Sequence, residues 1–337
     1  MYKLTVPQGY KSLLTPRQTQ LAIKKVKDFF ERDLAIQLNL TRVSAPLFVG
    51  SDSGLNDNLN GVERPVTFDI KDIDNSNAEI VHSLAKWKRL ALKQYGFDSG
   101  EGLYTDMNAI RRDEDTDNIH SVFVDQWDWE KRIEKQDRTA ETLHIAVRAI
   151  YRALRHTEKY IADDYAFADK NFLPEQIFFV TTQQLEDMYP DLTPKERENK
   201  IAREKKAVFI EKIGGALKSG ASHDGRAPDY DDWELNGDIV VYYPVLDIAF
   251  ELSSMGIRVD EEALLRQLEI RNCLDRKELP FHKALLKGEL PYSMGGGIGQ
   301  SRICMFFLHK AHIGEVQASI WPKGMIEECK KAGIELL

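Results

Sequence analysis

A run of glycines followed by an arginine lies near the end of the chain, in residues 294–302. Four of the five residues from Gly295 to Gly299 are glycine, and glycine permits a positive φ and lets a ligand approach the backbone closely. Past Arg302 the sequence is apolar and helix-like, so the pattern predicts a strand end, a glycine turn and a helix start that carries the arginine. Helix N-termini offer free N–H groups to anions. A guanidinium can pair with phosphate or stack on a flat ring. A packed structural turn would also use these glycines, but the arginine favours a nucleotide site.

Two carboxylates stand in segments whose other residues are typical of strands. Asp238 begins the apolar run 239–243, and Glu251 lies inside the strand-like stretch 249–258. A carboxylate within an apolar strand is costly unless it is paired or bound to a metal. If the two strands are neighbours, Asp238 and Glu251 could together hold Mg²⁺, which prefers oxygen ligands and bridges phosphates.

Three cations gather at the start of a predicted helix. Lys86, Lys88 and Arg89 follow Ser83, which we expect to cap that helix. Cations in the first turns of a helix oppose its macrodipole, and a bound anion would offset this. A solvated basic face is the alternative.

Polar side chains recur in three further places. Gln126, Asp128 and Glu130 alternate along a predicted strand and therefore share one face; from this pattern alone, an exposed side is expected rather than a wet cleft. Residues 226–233 hold clustered carboxylates between glycine-bearing loops, which favours a cation or amine ligand. Asp57 begins the polar loop 57–61, where turn formation is the stronger explanation for an aspartate taken alone.

The surrounding elements follow from capping and periodicity. Residues 15–18 form a capping box with proline at the first helical position, and the apolar spacing behind it predicts an amphipathic helix of about six turns. Residues 40–49 read as a strand whose proline confines it to an edge or interface. Residues 102–110 and 120–130 predict a hairpin around the charged loop 111–115, and a long helix follows from about residue 134 to 165.

Composition bounds the class of protein. The chain has 337 residues, 42% of them hydrophobic, and a net charge of −8, which argues against a large nucleic-acid footprint. No apolar run approaches the roughly 18 residues of a membrane span, and the N-terminus lacks the apolar stretch of a signal peptide. The three cysteines are odd in number and lack metal spacing, which favours a reduced cytoplasmic location.

In their order along the chain, these features resemble motifs one, two and three of the class II aminoacyl-tRNA synthetase catalytic fold. The helix and proline strand ending near Pro46 match motif one, the charged loop 111–115 matches motif two, and residues 295–302 match motif three. The aspartyl and asparaginyl branch is the most similar. Residues 82–88 stand where that branch binds its amino acid, and residues 251–258 match its Glu-Ile-x-x-Gly-x-x-Arg loosely.

Over its whole length, the chain is similar to the ammonia-dependent asparagine synthetases, the aspartate–ammonia ligase family. The strings that carry the match are residues 81–89, 124–130, 226–233 and 295–302. The ligase pattern Arg-x-Asp-Glu selects Arg111 in the motif-two loop, while the adjacent Arg112 stays an alternative.

The resemblance implies an α+β fold, an antiparallel sheet of six or more strands flanked by helices. It implies one catalytic domain over residues 1–337, with a helix-rich segment of about 131–206 inserted between motifs two and three. It also implies a homodimer through the motif-one helix and no tRNA or membrane partner. The implied reaction converts L-aspartate, ammonia and ATP to L-asparagine, AMP and pyrophosphate through a β-aspartyl-adenylate.

The resemblance also implies roles for individual residues. Arg111 and Mg²⁺ would lie near the α-phosphate, Glu114 would meet the adenine amino group, and Arg302 would stack on the ring or touch the γ-phosphate. Asp238, Glu251 and Ser254 would serve the phosphates, with Asp238 and Glu251 as the metal ligands. Because this enzyme class activates the β-carboxylate, we expect Lys88 to hold the α-carboxylate and Asp128 or Asp231 to take the α-amino group. Ser83 and Arg226 would complete the substrate site, with Gln126 and Asp57 as candidates for orienting or deprotonating ammonia.

Three other functions are considered. A true aspartyl- or asparaginyl-tRNA synthetase would need a tRNA-binding module, for which the roughly fifteen residues before the first motif leave no room. A non-catalytic synthetase paralogue should have lost Arg111, Glu251 or Arg302, and all three are present. A glutamine-dependent synthetase is excluded because no cysteine near the N-terminus could serve as its nucleophile.

Overall fold

The computed structural model describes residues 2–57, 59, 63–73, 76–168 and 170–337. In this part of the chain the α-helices are α1 (Pro16–Leu38), α2 (Ala85–Gln94), α3 (Ala140–Asp164), α4 (Thr182–Met188), α5 (Pro194–Lys205), α6 (Glu261–Ile270), α7 (Pro280–Leu286), α8 (Gln300–Phe307) and α9 (Lys323–Lys331). The strands are β1 (Leu40–Arg42), β2 (Phe48–Gly50), β3 (Thr67–Ile70), β4 (Ser76–Ile80), β5 (Gly102–Ile110), β6 (Phe123–Arg132), β7 (Phe178–Thr181), β8 (Ala207–Glu211), β9 (Asp231–Tyr243), β10 (Ile248–Arg258) and β11 (Ser293–Gly299).

Among the described residues, eight strands form one large sheet in the order β1-β5-β6-β11-β10-β9-β8-β7. This confirms the α+β class, but the prediction of an antiparallel sheet is wrong at both edges. The pairs from β5 to β8 are antiparallel, whereas β1 runs parallel to β5 and β7 parallel to β8. The reason is connectivity: β7 reaches β8 through the crossover helices α4 and α5, and a long crossover permits parallel pairing.

One face of the large sheet carries the main hydrophobic core. Helices α1, α3 and α8 pack there against fully buried aromatic side chains of β6 and β10, including Trp127, Trp129 and Phe250. The predicted first helix is confirmed, because Thr15 and Gln18 form the capping box and the helix ends at Leu38. The core therefore fixes the sheet from one side and leaves the opposite face for other elements.

The opposite face of the sheet is covered at its two ends. At one end α2 packs through Leu84, Trp87 and Leu92 onto β5. At the other end α4 and α5 pack onto β8 and β9 through a separate cluster that includes Leu185 and Ile201. The strip of β6, β11 and β10 between these two clusters carries polar side chains and forms the floor of a cleft.

Several local predictions need adjustment. The predicted strand 40–49 is two strands: β1 at an edge of the large sheet, and β2 in a separate sheet of order β2-β4-β3, with Pro46 between them. The long helix starts at Ala140, because the preceding Lys135–Asp137 forms a short 3₁₀ turn. Residues 131–206 are helix-rich but also contain β7. The assignment of residues 1–337 to one catalytic domain stays a prediction.

Within the described residues, none of the helices is both long and apolar enough to cross a membrane.

Candidate active site

The cleft on the open face of the sheet is a cavity of about 420 Å³. It brings together side chains from the loop after β2, from α2, and from most of the central strands. Of the residues predicted to form the site, those that line this cavity are Asp57, Ser83, Lys88, Arg111, Glu114, Gln126, Asp128, Arg226, Asp231, Glu251, Ser254 and Arg302. Asp238 lies directly behind the lining, where it is bonded to Arg226.

The glycine run is a strand rather than the predicted turn. Residues 293–299 form β11, and the residues with positive φ in the described chain do not include Gly295, Gly297 or Gly299. What these positions need is space. A Cβ on Gly295 would overlap the Glu130 carboxylate, and one on Gly297 would overlap the Gln126 amide. The missing side chains therefore form a trough across which the side chains of β6 lie.

Lys88 and Asp128 form a buried ion pair at the α2 end of the cleft. The Lys88 Nζ lies 3.2 Å from Asp128 Oδ2, with side-chain exposures of 1% and 2%, and donates to the Gly296 carbonyl at 2.9 Å. Burial lowers the pKa of Lys88, although the charge of Asp128 opposes that shift. Asp128 Oδ1 is buried and has no hydrogen-bond partner among the described residues. The pair therefore presents a lysine with a spare N–H beside a carboxylate oxygen with a spare acceptor.

The other two cations of α2 are structural. Lys86 Nζ lies 3.1 Å from Asp229 Oδ2, an oxygen that also meets His282 Nε2 at 3.0 Å. Arg89 donates to the carbonyls of Pro291 and Val259. The cluster was predicted to await an anion, but in the folded protein only Lys88 of the three lines the cleft.

Ser83 is not the N-cap residue of α2, because the helix starts at Ala85 and its N-cap residue is Leu84. The Ser83 hydroxyl accepts from the Ala85 N–H at 3.4 Å and donates to Asp57 Oδ2 at 2.9 Å. Asp57 is 2% exposed, and its Oδ1 accepts from the Leu59 amide. Its loop neighbours Asn58, Asn60 and Gly61 lie outside the described residues. Asp57 is therefore fixed at the cleft wall with its carboxylate in the cavity lining.

The shared face of Gln126, Asp128 and Glu130 is largely buried, so the expectation of an exposed side is wrong. Glu130 is fully buried and accepts from Arg258 (Nη2 to Oε2, 2.7 Å) and from the Ser293 hydroxyl at 2.7 Å. Arg258 also contacts Asp231. Despite burial, these two carboxylates hold the pKa of Arg258 above its ordinary value. The sequence pattern was right about the common face but could not show that other elements cover it.

Arg226 organises the end of the cleft that faces α5. Its guanidinium donates to the Ser254 hydroxyl and to Asp238 Oδ1 at 2.6 Å. Asp238 and Ser254 are directly paired on β9 and β10. The pKa of Asp238 is raised to about 7, mainly by burial; the charge of Arg226 opposes this shift and the neighbouring charge of Glu251 adds to it. Two carboxylates thus lie close enough to interact at this end.

Glu251 faces Arg302. The Arg302 Nη1 donates to the Glu251 carbonyl at 3.0 Å and lies 3.5 Å from its Oε2. Burial works to raise the pKa of Glu251, but Arg302 and then Arg226 lower it below its ordinary value. The Glu251 side chain remains 44% exposed and so is accessible from the cleft.

The carboxylates of Asp238 and Glu251 suit a hard cation that is also coordinated by a bound substrate. Asp238 and Glu251 lie on one face of adjacent strands, and their mutual repulsion raises the pKa of Asp238. No group of three or more His, Cys, Asp or Glu side chains with metal-site geometry occurs among the described residues. Mg²⁺ commonly binds through one or two carboxylates together with substrate phosphates and water. Two carboxylates therefore fit a magnesium that arrives with a polyphosphate.

The charged loop after β5 distinguishes its two arginines. Arg111 and Glu114 line the cleft, whereas Arg112 is exposed on the outer side of the loop. Arg111 Nε is buried and has no hydrogen-bond partner within the described part of the chain. Asp113 accepts from Arg64, which ties the loop to the segment before β3 and lowers the pKa of Asp113. The structure therefore favours Arg111 over Arg112 as the cleft-facing arginine.

Sequence reasoning missed several lining residues. Tyr230 lines the cavity, and burial raises its pKa, with the charges of Asp57 and Asp231 adding to the shift. Phe123 supplies an apolar surface near the motif-two loop, and Gln317 lies at the far wall. Tyr230 falls within residues 226–233, one of the stretches that carry the family resemblance, and could therefore have been predicted. Gln317 was not, because it meets Asp125 across 192 positions of sequence.

Comparison with known proteins places these features in a family. A family model described as aspartate-ammonia ligase matches residues 17–333. A protein of Ruminiclostridium cellulolyticum described as aspartate–ammonia ligase is 67% identical over 337 residues, covering 100% of both chains. A protein of Clostridium perfringens with the same description is 65% identical over the same full lengths.

Among solved structures, the chain is similar to asparaginyl-tRNA synthetase of Entamoeba histolytica in complex with asparaginyl-adenylate. The TM-score is 0.62 at 13% identity, and the match covers 90% of this chain but 66% of the synthetase. At this identity the likeness concerns the fold, and it supports the class II synthetase-like architecture. With a family model spanning residues 17–333 and full-length relatives at 65–67% identity, the chain belongs to the aspartate–ammonia ligase family.

Proposed function

We propose that the protein makes L-asparagine from L-aspartate, ammonia and ATP, releasing AMP and pyrophosphate. One observation carries the proposal: a buried Lys88–Asp128 pair with spare hydrogen-bonding capacity shares a single cleft with the arginines Arg111 and Arg302. The Lys88–Asp128 pair suits an amino-acid zwitterion, and the two arginines suit a polyphosphate. The family relatives, which match this chain from end to end, support the same substrate pair.

The first half of the reaction joins two anions. An oxygen of the aspartate β-carboxylate bonds to the α-phosphorus of ATP, and the bond from that phosphorus to the pyrophosphate oxygen breaks. Cations at the α-phosphate lower this barrier because negative charge accumulates there. Arg111, whose buried Nε has no hydrogen-bond partner among the described residues, is the arginine that supplies this charge. Magnesium bound by Asp238 and Glu251 would screen the charge of the triphosphate.

Aspartate binds turned around relative to a synthetase substrate. Lys88 holds its α-carboxylate, and Asp128 takes its α-amino group through Oδ1, which has no partner in the part of the chain that the structure describes. Asp231 is the weaker candidate for the amino group because it already accepts from Arg258. This leaves the β-carboxylate free to face the α-phosphorus at a near-attack distance of roughly 3–3.5 Å.

The second half of the reaction uses ammonia. Its nitrogen bonds to the β-carbonyl carbon, AMP leaves, and one proton is lost to a base. Asp57 is held by Ser83 in the cleft wall, and Gln126 lies across the glycine trough. We assign these two side chains to the orientation of ammonia and to the removal of its proton.

The nucleotide occupies the other end of the cleft. Glu114 reads the adenine amino group, Arg302 lies against the ring or the γ-phosphate, and Ser254 and Arg226 line the phosphate path. Arg226 holds Asp238 and Ser254 in fixed positions, so the anionic and cationic groups are placed before ATP arrives.

The protein acts as a homodimer in the cytoplasm, without tRNA. Support for the dimer comes from large apolar side chains left exposed on the motif-one elements. Leu21 and Ile36 on α1 are 62% and 76% exposed, and Phe48 on β2 is 43% exposed. A second copy would cover such a surface.

The test is AMP release from ATP and aspartate, measured with and without ammonium and in the absence of tRNA. We expect AMP and asparagine to form in equal amounts and only when ammonium is present at turnover concentrations. Aspartyl-tRNA formation on adding tRNA, with no asparagine from ammonium, would establish a synthetase instead. Absence of AMP under every condition would establish a non-catalytic relative.

A further inference from the structure

The first turn of α8 carries Arg302 but has no cap from its own N-terminal residue. The N-cap position is Gly299, which has no side chain to offer, and no side-chain cap hydrogen bond is present there. The first N–H groups of a helix need partners from outside the helix. Another part of the fold therefore has to supply them.

Asp125 supplies that partner from β6, the strand next to β11 in the sheet. Its Oδ1 accepts from the main-chain N–H of Ser301 at 3.1 Å and from Gln317 Nε2 at 3.2 Å. Gln317 also donates to the Ser301 hydroxyl at 3.1 Å. Asp125, Ser301 and Gln317 are all less than 10% exposed. A carboxylate at a helix N-terminus is favourable because of both the hydrogen bond and the macrodipole.

Lys27 of α1 completes the arrangement from the other side. Its Nζ donates to Asp125 Oδ2 at 2.9 Å. Burial disfavours the charged lysine, but the charge of Asp125 raises the pKa of Lys27 above its ordinary value. Both oxygens of Asp125 are thus engaged, one with α1 and one with α8. Helix α1, strand β6 and helix α8 meet at this single carboxylate.

The geometry of α8 decides where the Arg302 guanidinium lies. Arg302 is one residue beyond Ser301, and its Nη1 is held by the Glu251 carbonyl at 3.0 Å. A shift of the first turn of α8 would move the guanidinium along β10 and away from Glu251. Asp125 alternates with Gln126 along β6 and, together with Ser301 and Gln317, forms part of the cavity lining. Because both of its carboxylate oxygens are already bonded to Lys27, Ser301 and Gln317, we expect Asp125 to act on ATP through the position of α8.

We propose that Asp125, held by Lys27, is a positioning residue for the nucleotide end of the cleft and acts through Arg302. This inference rests on the proposed function, in which Arg302 contacts ATP. It makes the tie between α1 and α8 a determinant of ATP affinity and leaves the aspartate end unaffected.

The first experiment measures ATP binding by calorimetry and the two KM values by steady-state kinetics. Asp125→Ala should weaken ATP binding and raise the KM for ATP about tenfold, while the KM for aspartate stays within about twofold. Lys27→Met should raise the KM for ATP about threefold, because Asp125 keeps its bonds to Ser301 and Gln317. Lys25→Met is the matched control, since that lysine lies on the same helix as Lys27 but forms an exposed pair with Asp164 at the end of α3.

A double-mutant cycle with Arg302→Ala separates positioning from mere stability. If Asp125 acts through Arg302, Asp125→Ala adds no further loss of ATP affinity once Arg302 is gone. The neutral double variant Lys27→Met with Asp125→Asn retains an oxygen for Ser301 and should recover most of the ATP affinity. Where Asp125→Ala fails to fold, Lys27→Met and this double variant carry the test.

Unchanged ATP affinity in the folded Asp125 and Lys27 variants, equal rises in both KM values, or additive losses in the Arg302→Ala background would each overturn the proposal. Since ATP binding is measured without turnover, its outcome is distinct from the outcome of the asparagine assay. A wild type that binds ATP but makes no asparagine would refute the proposed function and leave the Asp125 tie to be judged on ATP binding alone.

Discussion

Replacing Lys88 by methionine tests the turned-around binding of aspartate most directly. Methionine keeps most of the length of the side chain but removes the charge, the bond to Gly296 and the spare N–H. In the native structure the ammonium is buried, 3.2 Å from Asp128 Oδ2. Burial lowers the pKa of Lys88, and the charge of Asp128 opposes this shift. A second anion, such as the α-carboxylate of aspartate, would stabilise the charged lysine further.

The magnitude follows from the burial of the pair. Truncating one partner of a buried charged contact costs about 2–5 kcal/mol, so removing the Lys88 contact should raise the KM for aspartate about 30-fold or more. If Lys88 holds the α-carboxylate equally in the ground and transition states, kcat should change little. The reacting β-carboxylate would then keep its own contacts.

Lys88→Met also changes the stability of the protein, and this effect must be distinguished from the loss of aspartate binding. It leaves the Asp128 carboxylate buried without its cation, and such an uncompensated charge destabilises a protein by about 3–5 kcal/mol. The double variant Lys88→Met with Asp128→Asn removes both charges and should recover the thermal unfolding midpoint but not aspartate affinity. Lys93→Met, at the exposed end of the same helix, is the matched control and should leave both unchanged.

A substrate analogue sharpens the test further. β-Alanine is aspartate without its α-carboxylate, so it keeps the reacting carboxylate and the amino group. The wild type should prefer aspartate strongly, and Lys88→Met should lose most of this preference in kcat/KM, because the α-carboxylate has lost its partner. Retention of the full preference in the variant, or a product complex with Lys88 on the side-chain amide, would refute the turned-around orientation.

Three further predictions follow from the same structure. Glu251→Ala should leave the circular dichroism spectrum unchanged but abolish AMP release, because it removes a magnesium carboxylate; near-normal turnover would place the metal elsewhere. Gly297→Ala should lower kcat/KM for aspartate by displacing Gln126 and Asp128 at about 1–3 kcal/mol, whereas Gly215→Ala, which meets open space, should be silent in the same assay. Burial lowers the pKa of His312 to about 4, so the unfolded state binds more protons between pH 6.5 and 4. The free energy of unfolding should therefore fall by up to about 3 kcal/mol as the pH decreases through that window. His312→Asn should reduce this dependence of the unfolding free energy on pH, measured by denaturant titrations at several pH values. An unchanged pH dependence would contradict its attribution to His312.

Local elements were predictable where the signal is local. The capping box at Thr15 and the apolar spacing behind it predicted the start of α1 and its length of about six turns, and the hairpin of β5 and β6 followed from alternation. Ser83 shows the limit of such patterns, because its hydroxyl accepts from the Ala85 N–H and also donates to Asp57, a residue 26 positions away. The second contact depends on tertiary packing, which the spacing of nearby residues does not encode.

Sequence patterns also could not predict the direction of the edge strands or the partners of the buried polar groups, because both depend on tertiary contacts. β1 and β7 have only three and four residues, too few for alternation to reveal their direction. The glycine run looked like a turn because glycine reports only that a side chain is absent, and here the absence serves Glu130 and Gln126 on the next strand. The resemblance to class II synthetases gave the architecture of the site, while the partners of each charge came only from the fold.

The pairing of charges in the cleft explains how the site can exist before its substrates bind. Buried ion pairs seldom stabilise a fold relative to apolar packing, so Arg258 between Glu130 and Asp231 is better understood as a device that fixes geometry. Within the described residues, several cleft-lining polar atoms nevertheless remain buried and unpartnered, among them Asp128 Oδ1, Arg111 Nε and Arg226 Nε. Each such atom costs about 1–3 kcal/mol in the free protein. They lie in the parts of the cleft assigned here to the amino group of aspartate and to the phosphates of ATP, so the binding of substrates would repay the desolvation that folding has already imposed.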